Sequence, residues 1–195
     1  MFLTRLSNGI LLLNCQPSCS LTKLLFLVAI SSAKRASSLS LLSIKKGYLE
    51  VSEEKVVLLP IGLEKHSRPG FVGGPIEIES FKQSPELCPV NHLNAYLERI
   101  RILRGKEEGL FVTIRKPHTT ASAPTIARWV KTVIDQSGET GTGGSTRSVA
   151  TSTALSKGVS LEKIVKAGDW ARVSTFKRHY YKAVPLTVQS ANLKA

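Results

Sequence analysis

The stretch from Leu21 to Ser32, LTKLLFLVAISS, constrains the fold most. It reads as a helix that is hydrophobic on nearly all sides, and such a helix has to be surrounded by other elements. Its unbroken apolar run, Leu24 to Ile30, is seven residues long, far short of the roughly 20 that a membrane span needs. Burial at the centre of a globular domain is therefore the expectation, with Ser20 as the N-cap. At 195 residues the chain fits one domain with a real core. Residues 1–20 show no sustained period and read as a lead-in. Arg5 followed by the apolar Ile10–Leu13 is too short for a signal-peptide core, and no good cleavage site follows, so secretion is not expected. Cys15, Cys19 and Cys88 form no even framework, which points to a reducing compartment. No second Cys or His pair completes a Cys15/Cys19 metal site, so no metal is expected; nor is a small-molecule cofactor.

Downstream of that helix, small residues surround one arginine in Ser31-Ser32-Ala33-Lys34-Arg35-Ala36-Ser37-Ser38. An apolar helical pattern resumes at Leu39, Leu41, Leu42 and Ile44. From Leu49 to Pro60 the residues turn β-branched and aliphatic. Pro69-Gly70 and Gly73-Gly74 mark turns, and Ile76-Glu77-Ile78-Glu79 alternates with period two. Together these predict a small sheet between Leu49 and Phe81. Leu87-Cys88-Pro89-Val90 opens an amphipathic helix that Gly105 ends, and Leu110–Val112 reads as a short buried strand. Ser122-Ala123-Pro124 starts the next helix, whose apolar face is Ile126, Trp129, Val130, Val133 and Ile134. A glycine-rich loop leads to Ser145-Thr146-Arg147 and a short helix that Gly158 breaks. A further helix starts at Ser160, then come a Gly-Asp-Trp turn at Gly168–Trp170 and the pair Tyr180 and Tyr181. The fold class predicted is α+β, mainly α-helical: a helical bundle with a small antiparallel sheet, and no internal repeat.

Charge narrows the partner. The chain carries 27 Lys and Arg against 14 Asp and Glu, a net +13, which favours a polyanion. From Gly144 to the end there are nine basic and two acidic residues, so the excess peaks near Arg147, Trp170 and Tyr180.

Those three residues, in the setting STR…GDW…STFKRHYY, resemble the C-terminal half of a tyrosine recombinase (phage-integrase family) catalytic domain. The wording is closest to eukaryotic DIRS-like and Crypton-like mobile-element recombinases, where S-T-R, S-T-F and a Leu-Cys-Pro-Val before a long helix are familiar. The resemblance covers about residues 21–187, leaving 188–195 as a tail. It implies duplex DNA as partner, self-association on DNA, no membrane, and a nuclear location in a eukaryote or an intracellular one otherwise. It implies DNA cleavage and rejoining through a 3′-phosphotyrosine, with Arg35 and Arg147 clamping the phosphate. Tyr180 would be the nucleophile, with Tyr181 the alternative. Trp170 would donate its indole N–H, and Lys65, on the β-hairpin, would be the general acid, with Lys82 a weaker rival. Two guanidinium forks suit that task because each can bind non-bridging phosphate oxygens bidentately as charge builds in the transition state.

Two departures stand out. The family's box reads His-x-x-Arg, and Gly144 occupies the histidine's place; His66, beside Lys65, and His179, beside Tyr180, are the histidines nearest to site residues. The family's N-terminal DNA-clamp domain also has no counterpart in this sequence. Both favour an alternative in which the chain is a catalytically impaired recombinase-derived module that still grips DNA. A basic helical RNA-binding protein is the third reading.

Overall fold

The computed structural model describes residues 17–62 and 74–182. Helix α1 (Pro17–Ser32) is the centre that its composition demands. Leu24, Leu25 and Phe26 are 0% exposed, and each such side chain contributes about 1.5–3 kcal/mol on burial. It packs against α3 (Pro89–Arg104), α4 (Ala123–Gln136), α5 (Ser145–Ser156) and strand β3 (Ile76–Glu79). The helix begins one turn earlier than the sequence predicts, with Pro17 in its first turn, where a missing N–H costs nothing. Ser20 is therefore inside the helix, where it accepts a hydrogen bond from Arg99, instead of capping it. Among the described residues no helix is long and apolar enough to cross a membrane.

A short helix α2 (Ala36–Leu39) follows the Ala33–Arg35 turn. The helical pattern expected over Leu39–Ile44 is not realised. Leu39 and Leu42 are buried as the pattern requires, but the backbone leaves the helix to pair with residues 108–110. Ile44 N donates to Glu108 O at 2.9 Å, and Leu110 N donates to Leu42 O at 2.7 Å. Tertiary pairing has overridden a weak local preference. Leu110–Val112 is buried as expected, held by isolated bridges and not by a continuous strand.

The sheet is antiparallel, in the order β1 (Leu49–Val51), β2 (Lys55–Leu58), β3. The run expected as one strand from Leu49 to Pro60 is a hairpin, turned at Ser52–Glu54, where Ser52 Oγ accepts from Lys55 N at 3.0 Å. Register pairs Val56 with Ile78 and Leu58 with Ile76, so one face of the ribbon meets α1 while Glu77 and Glu79 face water.

The amphipathic helices α3 and α4 bury most of the apolar faces expected of them: Val90, Leu93, Tyr96 and Ile100 on one, with Leu97 partly buried and Leu103 exposed at its end, and Ile126, Val130, Val133 and Ile134 on the other, with Trp129 partly buried. Beyond α5, Gly158 (φ +87°) turns the chain. Helix α6 (Leu161–Ala167) begins where the sequence predicts, with Ser160 as its N-cap, the side chain accepting from Lys163 N, and α7 (Val173–His179) follows. Ile164, Trp170 and Phe176 form a small second apolar cluster, separate from the main core, with Tyr180 against it.

Candidate active site

Arg35 is delivered by a sharp exit from α1. Ala33 sits at φ +52°, a left-handed conformation that costs a non-glycine residue about 1–2 kcal/mol. Ser32 reinforces the exit, its hydroxyl donating to Val28 O at 2.6 Å and accepting from Lys34 N at 3.3 Å. Arg35 is then the N-cap of α2, half-buried, its carbonyl accepting from Leu39 N at 2.9 Å.

Arg147 comes from the first turn of α5 and is 3% exposed. Its Nη2 donates to the carbonyl of Gly168. Its Cζ lies 4.2 Å from the centroid of the Trp170 ring and 5.0 Å from that of Tyr180. Desolvated guanidinium–aromatic contacts of this kind are worth up to about 2 kcal/mol. They also orient the guanidinium between the two rings.

The Gly168–Trp170 turn holds this arrangement together. Gly168 N donates to Ile164 O, and Trp170 N to Val165 O, both at 3.0 Å. Asp169 between them has φ +51°. No larger residue fits at 168, because a Cβ there would overlap the six-membered ring of Trp170. Trp170 is 5% exposed. Its ring lies 4.7 Å from Tyr180 and 5.2 Å from Phe176, tilted in both cases.

Tyr180 follows the last residue of α7 and is half-buried. Its carbonyl accepts from Ser152 Oγ at 3.4 Å, which fixes the end of α7 to α5. Burial pushes the phenol pKa up. The nearby Arg35 guanidinium and the positive charges of Arg147 and Arg35 outweigh that, so the phenol is more acidic than an ordinary tyrosine. The Trp170 indole N–H is near enough to add to this shift without reaching full hydrogen-bond geometry, and is otherwise buried without a partner among the described residues. A buried donor left open beside a phenol and two guanidinium groups is suited to an incoming oxyanion.

Four of the five residues singled out in the sequence, Arg35, Arg147, Trp170 and Tyr180, therefore meet at one place. Lys65 and His66 lie outside the described residues, on the connection from β2 to β3. Lys82 is exposed in the turn after β3, and His179 is exposed at the end of α7. Tyr181 is 49% exposed, with its ring 6.2 Å from Phe176 and edge-on to it. Gly144 is the N-cap of α5, at φ −85° and ψ −10°. Sequence reasoning passed over Lys34 and Asp169, whose side chains form an ion pair across the site. Their adjacency to Arg35 and Trp170 was the available signal.

No protein-family model and no curated protein matches this sequence. Solved structures do match. The XerA recombinase superposes with a TM-score of 0.68 at 15% identity, covering 95% of this chain and 59% of that one. The XerH site-specific recombinase bound to its difH substrate, in a pre-cleavage complex, gives 0.66 at 15%, covering 90% and 47%. A lambda integrase dimer bound to a COC′ core site gives 0.54 at 13%, covering 93% and 61%. The chain thus spans less than two thirds of the length of each. The likeness is one of fold: a helical domain with a small antiparallel sheet, as in tyrosine recombinase catalytic domains.

Proposed function

We propose that residues 21–187 form a DNA strand-exchange domain that cleaves and rejoins duplex DNA through Tyr180. The observation that carries this reading is the convergence of Arg35 and Arg147, far apart in the chain, on one phenol whose pKa they lower. In the proposed step the Tyr180 oxygen attacks the scissile phosphorus and the bond to the 5′ oxygen breaks. The phenol's proton passes to water, and the 5′ oxygen takes a proton from the ammonium of Lys65. The arginines and the Trp170 indole stabilise the charge on the non-bridging oxygens. A 3′-phosphotyrosyl link results, and because it conserves the bond energy, a 5′ hydroxyl can reverse the step without ATP.

Exposed Arg172, Lys177, Arg178 and Lys182 surround Tyr180 in sequence and would meet the flanking phosphates. The motif wording S-T-R, Leu-Cys-Pro-Val and S-T-F supports a DIRS-like or Crypton-like mobile-element origin, and with it a nuclear place of action. Self-association on DNA belongs to the same reading, and the lambda integrase in the comparison is a dimer on its core site. The deciding experiment incubates the chain with nicked suicide duplexes and looks for a covalent protein–DNA adduct under denaturing conditions. Wild-type protein that forms none with any site sequence would contradict strand cleavage.

A second reading is favoured by Gly144, which stands where the family has an acid–base histidine: a recombinase-derived module that binds duplex DNA with catalysis impaired. Binding should then weaken steeply with salt as counterions are released. Arg147→Ala is expected to weaken duplex binding about tenfold, the loss of one charge-assisted contact, and to make the logarithmic salt slope shallower by about one. Fluorescence anisotropy across a salt series, on protein checked for folding, measures both. An unchanged slope and affinity would remove Arg147 from the interface.

A further inference from the structure

We propose that the Lys34–Asp169 ion pair is the device that sets Arg35 and Trp170 against Tyr180, which makes Lys34 and Asp169 positioning residues of the strand-exchange site. The proposal rests on the reading above and adds to it. The two residues are 135 positions apart and join the two turns that supply the site. Lys34 immediately precedes Arg35; Asp169 immediately precedes Trp170. Their side chains are 7% and 11% exposed, so the pair is shielded from the water and salt that make surface pairs weak.

The turns themselves need an external constraint. Ala33 and Asp169 are the two non-glycine residues with positive φ among those described. Strained conformations of this kind persist where the surroundings over-determine them. Asp tolerates the left-handed region, while Ala has no side chain to help it. The ammonium of Lys34, one residue beyond Ala33, is held by the carboxylate of Asp169, so each bent turn is tied to the other.

Three consecutive residues then serve three purposes. The Gly168 carbonyl accepts from Arg147, the Asp169 carboxylate accepts from Lys34, and the Trp170 ring packs on both Arg147 and Tyr180. A single turn thus fixes one guanidinium directly and the other through its neighbour. Stability alone is a weak reason to keep such a pair, because well-packed apolar replacements of buried ion pairs are often neutral or stabilising.

The test reads the phenol before it reads DNA. Ultraviolet titration of tyrosinate, taken as the difference between each protein and its Tyr180→Phe counterpart, isolates Tyr180. In Lys34→Met and in Asp169→Asn, Arg35 loses its fixed place, and the midpoint should move up toward that of an ordinary phenol. Asn tolerates the left-handed conformation at 169, so the backbone there is preserved. Lys34→Arg retains the pair and should keep the wild-type midpoint. Adduct formation should fall about 10–100-fold in the first two variants, as expected for misplacement by about an ångström.

If either single variant fails to fold, Lys34→Met/Asp169→Asn leaves no lone buried charge and carries the test. Folded variants with a wild-type midpoint would overturn the positioning role and leave an ordinary structural ion pair. The titration needs no DNA. Absence of adducts with wild-type protein would therefore sink strand cleavage without deciding this point, and an unshifted midpoint would do the reverse.

Discussion

Replacing Tyr180 with phenylalanine should abolish the covalent adduct and leave duplex affinity essentially unchanged. The substitution removes one oxygen. The ring stays where Trp170 and Phe176 pack the end of α7, since the contacts at 4.7 and 5.2 Å are between rings. Losing the phenol's interaction with Arg35 costs no more than a hydrogen bond to a charged group, about 1.5–3 kcal/mol, so the variant should remain folded and able to bind. Tyr181→Phe is the control. Tyr181 is half-exposed and edge-on to Phe176, whereas the ring stacked near Arg147 is that of Tyr180, so the loss of the Tyr181 hydroxyl should leave adduct formation intact. Denaturing gels of both variants on the same suicide duplex decide the matter. Loss of the adduct in Tyr181→Phe alone would move the nucleophile by one residue.

The second large effect runs in the opposite direction. Gly144→His should accelerate adduct formation by about 10²–10⁴-fold, the usual contribution of a positioned acid–base group. The backbone permits it: φ −85° and ψ −10° suit any L-residue, and a Cβ at this position meets nothing nearer than Thr142 Oγ1 at 3.7 Å. Gly143 next to it does not allow a side chain, since a Cβ there would come 2.6 Å from the carbonyl of Ala127. Residue 144 is three positions before Arg147, a spacing that places side chains on the same face of a helix. At a helix N-terminus the macrodipole disfavours imidazolium, so the new side chain would be neutral near pH 7 and able to accept the phenol's proton. Single-turnover rates for the two proteins measure the change. No acceleration would locate the deficit away from this position.

Much of this geometry was legible in the chain because it rests on strong local patterns. The faces of α3 and α4 follow from apolar spacing, the core side of β3 from strict alternation, and the break at Gly158 from a conformation that glycine adopts freely. Arg35, Arg147, Trp170 and Tyr180 were recognisable from their settings. Their convergence could not be read from spacing, since it depends on how α1, α5 and α7 pack. The Leu39–Ile44 segment misled because burying Leu39 and Leu42 fits a helical pattern as well as the observed backbone, and only the pairing with residues 108–110 decides between them. The hairpin at Ser52–Glu54 was hidden because no glycine or proline marks its turn. Lys34 and Asp169 were invisible as a pair because no local rule connects residues so distant.

The small apolar cluster under the phenol has a consequence for how the site would work in time. Ile164, Trp170 and Phe176 are not continuous with the main core, so α6 and α7 form a lobe with few buried contacts of its own. Such a lobe opens at lower free energy than the body it rests on. Hydrogen exchange followed by mass spectrometry should accordingly find residues 161–180 trading amide protons faster than residues 21–32. Each opening would carry indole and hydroxyl away from both arginines together while α1 stays packed. If Tyr180 attacks DNA as proposed, its availability would then follow the breathing of this lobe, and a partner that clamps α7 would arm the tyrosine without touching it.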